Sequence, residues 1–338
     1  MALRITDDAQ LERLNSFGVR ARAKTLIELD DVADATQALE QLRQTPSGLI
    51  LGGGSNVLLA GDIDRVVLRI ALRGIRALEI GADCVVVEAA AGEPWHELVQ
   101  WCLRHRLYGL ENLSLIPGLA GAAPVQNIGA YGVELAQRVD AVQAIDIETG
   151  QLRKLTAAEC AFGYRDSLFK RQNGRWLIVS IRLRLSRIAQ PCLDYPSLAE
   201  ALRAHALPTA EQVAKAVCSL RRQRLPDPAV LGNAGSFFKN PVADAATAAG
   251  LLAQHPDMPQ YAAGAQRVKL AAAWLIERCG WKGHREGDAG VHAQHALVLV
   301  NHGRASGAQI LALSRRIQAS VHERFGLMLE PEPVIVEH

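Results

Sequence analysis

From Asn112 to Val133 the chain runs 22 residues without a charge, yet the stretch holds two prolines, four glycines, Gln126 and two asparagines. It is long enough to span a bilayer, but that density of helix breakers and amides excludes a membrane helix and leaves a loop. A loop this long and uncharged carries backbone N–H and C=O groups that must find partners, which normally means that something lies along it. Its small residues, in Ile116-Pro117-Gly118-Leu119-Ala120-Gly121-Ala122-Ala123-Pro124-Val125-Gln126-Asn127-Ile128-Gly129-Ala130-Tyr131-Gly132, allow close approach by a flat ligand. A buried structural loop is the other reading.

A second uncharged segment, Gly52-Gly53-Gly54-Ser55-Asn56, comes directly after the apolar strand residues up to Leu51. Glycine lets backbone N–H groups converge on an anion with no side chain in the way. A tight turn explains a lone glycine triplet as readily. The spacing is not G-x-G-x-x-G, and Val57-Leu58-Leu59 stands next in place of a capped helix, so a dinucleotide fold of the Rossmann kind is disfavoured. Taken together, the two loops suit a large, flat, diphosphate-bearing cofactor such as FAD.

Three further segments carry chemistry. Tyr164-Arg165-Asp166-Ser167-Leu168-Phe169-Lys170 sets a guanidinium between aromatic residues, although a salt-bridged surface turn reads the same way. Gly232-Asn233-Ala234-Gly235-Ser236-Phe237-Phe238 hangs one hydroxyl in a glycine-flanked loop. Because the G-x-S-x-G elbow is absent, Ser236 is a proton donor, a hydrogen-bonding residue or a cap, and not a nucleophile. His292-Ala293-Gln294-His295 has no third ligand at a sensible spacing, so no metal is expected.

The 338 residues exceed one domain of usual size, and at this length the core needs no disulfide or metal. The six cysteines are scattered without a CxxC pair, which fits reduced and mostly buried thiols. A net charge of +2 and the lack of any dense basic run argue against nucleic acid. The acidic N-terminus has no apolar signal core, so a cytosolic protein is expected, with no membrane partner. Strands are expected at Ser47–Leu51, Val66–Ile70, Cys84–Glu88, Ala141–Ile147, Trp176–Leu185, Ala296–Val300 and Pro333–Val336. Helices are expected from Pro94, from the capping box Thr209–Gln212, over Arg267–Cys279, and from Ser306 to Gly326. That pattern is α+β and not a regular βαβ winding.

In order along nearly the whole chain, Leu14-Asn15-Ser16-Phe17-Gly18, Gly52–Asn56, Gly109-Leu110-Glu111-Asn112, Ile116–Gly132, Tyr164–Lys170, Leu225-Pro226-Asp227-Pro228, Gly232–Pro241 and Leu329-Glu330-Pro331-Glu332 closely resemble the UDP-N-acetylenolpyruvoylglucosamine reductase family, in the form with the longer tyrosine-bearing loop. The resemblance implies a flavoenzyme of peptidoglycan precursor synthesis, with noncovalent FAD, NADPH as co-substrate and a UDP-sugar as substrate. It implies an α+β fold: a two-subdomain FAD-binding unit of the vanillyl-alcohol-oxidase (PCMH-like) type and a separate α+β substrate-binding domain. On that basis residues 1–70 and 71–225 are the FAD subdomains and 226–325 the substrate domain. Residues 326–338 are a C-terminal strand that carries Glu332 back to the FAD-binding unit. A monomer is expected.

The same resemblance assigns roles. Ser236 matches the proton donor, Arg165 and Glu332 the pair that polarises the substrate carboxylate, and Tyr195 a residue on a mobile loop that closes over the diphosphate. Tyr164, Arg224, Asn240 and Lys282 match substrate contacts. Gly53, Gly54, Ser55, Asn56, Pro117, Gly118, Gly121, Ala122, Gln126, Asn127, Gly129 and Gly132 fall in the FAD loops. Ser16 stands where the family usually has Thr, and Arg224 replaces a common Lys, which keeps the charge but changes the phosphate geometry. A flavin-dependent oxidase on the same scaffold and a silent nucleotide-sugar binder are the competing classes. The first would not need Ser236, Arg165 and Glu332 together, and the second would not consume NADPH.

Overall fold

The computed structural model describes residues 3–43, 48–79, 81–264 and 266–337. In chain order the elements begin with β1 Arg4–Gln10, β2 Arg22–Leu29, α1 Ala35–Arg43, β3 Leu49–Leu51, β4 Val57–Leu59, β5 Ile63–Ile70, β6 Ile75–Glu79, β7 Cys84–Ala90 and α2 Trp95–Arg104. Next come β8 Gly129–Ala130, β9 Val133–Glu134, β10 Val139–Asp146, β11 Leu152–Thr156, α3 Leu168–Arg171, β12 Trp176–Ser186, α4 Pro196–Ala201 and α5 Ala210–Arg224. The remainder holds β13 Gly232–Ser236, β14 Val242–Asp244, α6 Ala245–Gln254, β15 Gln260–Ala262, β16 Arg267–Leu270 and α7 Ala272–Arg278. It ends with β17 Arg285–Glu286, β18 Ala289–Val291, β19 Val298–Asn301, α8 Gly307–Phe325 and β20 Val334–Val336. The chain divides into two compact units, one of Met1–Ala9, Ala23–Gly53 and Asp64–Gln223, the other of Gln10–Arg22, Gly54–Ile63 and Arg224–His338.

The first unit is built on a five-stranded sheet in the order β11-β10-β12-β7-β6, with every neighbouring pair antiparallel. Alternation explains its middle strand: Leu177, Ile181, Leu183 and Leu185 of β12 are buried, while Arg182 and Arg184 point the other way. Helix α2 buries Trp95, Leu98 and Cys102 in the same core, and Pro94 stands at its N-cap, one position before the first turn expected from sequence. A second sheet runs β1-β2-β5-β3, in which β3 and β5 are parallel. The expected strand over Ser47–Leu51 begins at Leu49; Ser47 lies outside the described residues. Helix α5 opens as expected, with Thr209 and Gln212 exchanging side-chain-to-backbone hydrogen bonds of 2.8 and 3.3 Å.

The second unit contains the antiparallel sheet β13-β19-β18-β17, the three-stranded sheet β14-β16-β15 and the parallel pair β20-β4. Helix α8 has the capping box Ser306/Gln309 at its start and Gly326 in the left-handed region, φ 66°, at its end. Its stripe Ile310, Leu313, Ile317 and Val321 is buried, as the spacing requires. Gly307 allows the close approach of α8 to β4, since a Cβ there would meet the Leu59 carbonyl oxygen at 1.7 Å.

Two expected elements differ. Arg267–Leu270 is strand β16, between β14 and β15, and the helix starts only at Ala272. The Ala272 N–H donates to Asn240 Oδ1 at 2.9 Å, so the side chain that satisfies the first turn comes from a distant segment. The apolar run Ala296–Val300 becomes strand only from Val298, because Val298 N–H closes a turn onto the His295 carbonyl at 3.0 Å. All six cysteines are free thiols, three of them buried. Among the described residues no helix is long and apolar enough to cross a membrane, and no group of His, Cys, Asp or Glu has the arrangement of a metal site.

Candidate active site

The two uncharged loops meet. A Cβ on Gly53 would lie 3.2 Å from Gly118 Cα and 3.3 Å from Leu119 Cγ, and one on Gly52 would lie 3.5 Å from Ala122 Cβ. A side chain at Gly53 would press the two loops apart, and one at Gly121 would collide with Ala91, whose Cβ would stand at 2.4 Å. Gly54 adopts φ 60° and packs on the segment before Ser16, where a Cβ would collide with the Leu14 carbonyl oxygen at 1.9 Å. Ser16 N–H donates to the Gly54 carbonyl at 3.0 Å. Among the described residues the buried hydroxyls Ser16 Oγ and Ser114 Oγ, one beside each loop, have no hydrogen-bond partner. Buried hydroxyls are normally paired, and a polar ligand atom along the long loop would supply what Ser114 lacks. The donors and the bare backbone therefore fit a cofactor of the FAD kind.

Within the long loop, residues divide between holding the loop and lining it. Asn127, at φ 43°, spends its whole amide on protein: Nδ2 donates to Glu134 Oε2 and to the Gly163 carbonyl, both at 3.0 Å, and Oδ1 accepts from Ala136 N–H at 2.9 Å. Its backbone N–H donates to the Pro124 carbonyl at 3.4 Å. Gln126 is buried. Gly129 faces Arg165, whose Nη1 would stand 3.3 Å from a Cβ there and whose Nη2 donates to the Gly129 carbonyl at 3.2 Å. Gly132 faces Cys192, Asp194 and Tyr195.

Arg165 itself sits in the left-handed region at φ 52°, in a turn closed by reciprocal backbone hydrogen bonds between Gly163 and Asp166. Asp166 pairs with Arg171, not with Arg165. The guanidinium lies 5.6 Å from the centroid of the exposed Tyr164 ring. Tyr195 ends the irregular stretch after β12 as the N-cap of α4, with Pro196 in the first turn, and its ring stands edge-on to Tyr131 at 5.2 Å. Asn112 Nδ2 ties the two segments together, donating to the Tyr131 carbonyl at 2.8 Å and the Cys192 carbonyl at 2.9 Å. No sequence motif points to Arg221, which belongs here. Burial pushes its pKa down, a shift opposed by Tyr131 and Cys218 and reinforced by the charge of Arg165, which sets two guanidinium groups near one another beside the long loop.

In the second unit Ser236 and Glu332 lie on paired segments. Glu332 N–H donates to the Phe237 carbonyl at 2.8 Å, Lys239 N–H to the Glu330 carbonyl at 2.9 Å, and Phe238 bridges Pro331. What reads as a glycine-flanked loop is strand β13, irregular in its pairing between Asn233 and Ser236, with Gly235 at φ 71°. Phe237 and Phe238 are fully buried behind it and pack edge to face at 5.1 Å. Asn56 joins this group, its Nδ2 donating to the Glu332 carbonyl at 3.3 Å and its carbonyl accepting from Val334 N–H at 3.0 Å. Asn240 caps α7, and Lys282 Nζ pairs with Glu277 at 2.9 Å. His295 reads in the sequence only as one half of a poor metal motif. Burial lowers its pKa first, and His292, Arg224 and Lys282 act in the same direction, which places the Arg224 and Lys282 charges near one imidazole.

Residues 23–156 match the FAD binding domain family, and residues 227–336 match the C-terminal domain of UDP-N-acetylenolpyruvoylglucosamine reductase. Reductases of that name from Pseudomonas putida and Pseudomonas aeruginosa are each 52% identical over 336 residues, covering 98% of this chain and 99% of theirs. The chain belongs to the UDP-N-acetylenolpyruvoylglucosamine reductase family. A solved UDP-N-acetylenolpyruvylglucosamine reductase, from Thermus caldophilus, superposes with a TM-score of 0.68 at 25% identity over 100% of both chains. As a reductase of this family it is a flavin-dependent oxidoreductase, and its fold is the α+β FAD-binding unit with a separate C-terminal domain that the resemblance implied.

Proposed function

We propose that the chain reduces UDP-N-acetylglucosamine enolpyruvate to UDP-N-acetylmuramate with electrons from NADPH, as a cytoplasmic monomer in peptidoglycan precursor synthesis. The observation that carries the reading is the pairing of the Ser236 and Glu332 segments, with Asn56 of the glycine loop bonded to both Glu332 and Val334. Bound FAD would supply a two-electron carrier between NADPH and the methylene carbon of the enolpyruvyl ether. The flavin loops, Gly53–Asn56 with Pro117, Gly118, Gly121, Ala122, Gln126, Asn127, Gly129 and Gly132, orient it through backbone groups.

Addition at the methylene leaves charge on the neighbouring carbon, which delocalises only into the attached carboxylate. Arg165, held by the Gly129 carbonyl, offers a planar fork to that carboxylate, and Glu332 acts as the second group as a carboxylic acid that donates a hydrogen bond to it. Ser236 holds the proton that the carbon takes up. A carbanion-like centre is basic enough for a hydroxyl to act as its acid. Tyr164, Tyr195, Arg224, Asn240 and Lys282 bind the sugar nucleotide, and the cationic surroundings of His295 suit its diphosphate. Residues 1–70 and 71–225 serve the flavin and 226–325 the substrate, with the C-terminal segment from residue 326 contributing Glu332 just before β20.

The test is steady-state NADPH oxidation by the purified yellow protein. Rapid oxidation that requires the enolpyruvyl substrate supports the reading. Oxidation at the same rate without it points to an oxidase, and none at all to a silent binder.

A further inference from the structure

Leu115 stands at the mouth of the long loop with φ 59°, a conformation that leucine adopts at a cost. Both polar groups of its own backbone are held by side chains from helices on either side. Its N–H donates to His96 Nδ1 of α2 at 2.9 Å, and its carbonyl accepts from Arg221 Nε of α5 at 3.1 Å. The neighbouring residue of α2 grips the same stretch, since Trp95 Nε1 donates to the Leu113 carbonyl and Trp95 N–H to the Gly118 carbonyl, both at 2.9 Å. Gly118 has φ 112°, another unusual backbone setting in the same few residues.

We propose that His96 and Arg221 are positioning residues for the flavin: by clamping Leu115 in the left-handed region they preform the Ile116-Pro117-Gly118 turn before FAD arrives. The inference rests on the reading of this loop as the FAD cradle. Preforming the loop spares the ordering cost at the moment of binding, so the clamp acts on cofactor affinity and not on the chemical step. The His96 clamp requires an imidazole with a bare Nδ1. Burial keeps His96 neutral by lowering its pKa, the charges of Arg222 and Arg221 on α5 act in the same direction, and Glu97 of α2 opposes them. Protonation at Nδ1 turns the acceptor into a donor facing the Leu115 N–H, so the clamp opens as pH falls.

The experiment measures FAD affinity of the apoprotein by flavin fluorescence, with the melting temperature of the apoprotein followed in parallel. His96→Ala should weaken FAD about ten-fold, the equivalent of about 1.4 kcal/mol. His96→Asn, whose amide oxygen can take the place of Nδ1, should recover most of that loss. In wild type, FAD affinity should fall on acidification while the apoprotein stays folded, and His96→Asn should remove that fall. Unchanged affinity in His96→Ala, no recovery in His96→Asn, or the same acid response in wild type and His96→Asn overturns the positioning role. If His96→Ala does not fold, the wild-type and His96→Asn pH profiles decide alone. A wild-type apoprotein that takes up no FAD overturns the flavin reading itself, and the clamp with it.

Discussion

Ser236 takes its setting from its neighbours. Gly235 at φ 71° turns the strand, and the fully buried Phe237 and Phe238 anchor the next two positions, so the hydroxyl is carried on a fixed piece of backbone. A proton donor acts only when the substrate is reduced, whereas a serine that merely orders the loop serves both halves of the cycle. Ser236→Ala should therefore accept electrons from NADPH at near wild-type rate and lose them to substrate orders of magnitude more slowly, with Ser236→Cys recovering part of the loss. Stopped-flow traces of the two half-reactions check this, and equal damage to both, or to neither, excludes the donor role. In the sequence Ser236 stands out as one hydroxyl between glycines and aromatics. The bracing hydrogen bonds of Asn112, Asn127 and Arg221 do not show in the sequence, since their partners, Cys192, Gly163 and Leu115, are 80, 36 and 106 residues away.

At the scale of elements, long alternating or capped segments read well and short ones do not. β12, α5 and α8 carry their own period and caps, so sequence alone locates them. β16 does not: Arg-Val-Lys-Leu is too short to show a period, and the cap that starts α7 is Asn240, from another segment. The five-stranded sheet also holds a charge network with no local signature. Glu88 on β7 is 7% exposed and accepts from Arg182 Nε of β12 at 2.5 Å, Gln143 Nε2 of β10 at 2.7 Å and Arg76 Nε of β6 at 2.8 Å. Burial raises the pKa of this carboxyl, but the hydrogen bonds from Arg182 and Arg76 together outweigh it and hold it below its usual 4.5. With the folded value below the unfolded one, the network's contribution is full above about pH 4.5 and is lost as pH falls through the lower folded value. Glu88→Gln should cost on the order of 1–3 kcal/mol near neutral pH, the worth of charge-assisted hydrogen bonds, and the deficit should shrink in acid. Urea unfolding of both proteins at neutral and acidic pH measures it; a deficit that does not change with pH would show that the network is not ionic.

For the whole molecule, the division into two units interleaves the chain. Residues 10–22 and 54–63 group with the C-terminal third, and β20 pairs with β4 from the first third. No composition shift or linker marks those crossings, because what fixes them is packing. Asn301 Nδ2 donates to the Phe17 carbonyl at 3.0 Å, and a Cβ on Gly232 would strike the same oxygen at 2.2 Å. The family and its flavin are legible because the motifs recur in order along nearly the full length, which no single loop could establish. The central claim is that electrons pass through the bound flavin to an enolpyruvyl sugar. It is tested most directly by reducing the wild-type holoprotein with NADPH under strict exclusion of oxygen and adding one equivalent of UDP-N-acetylglucosamine enolpyruvate. Full return of the oxidised flavin spectrum, with one equivalent of UDP-N-acetylmuramate formed, is the expected result. A flavin that stays reduced with this substrate, and is reoxidised only when air is admitted, would contradict it.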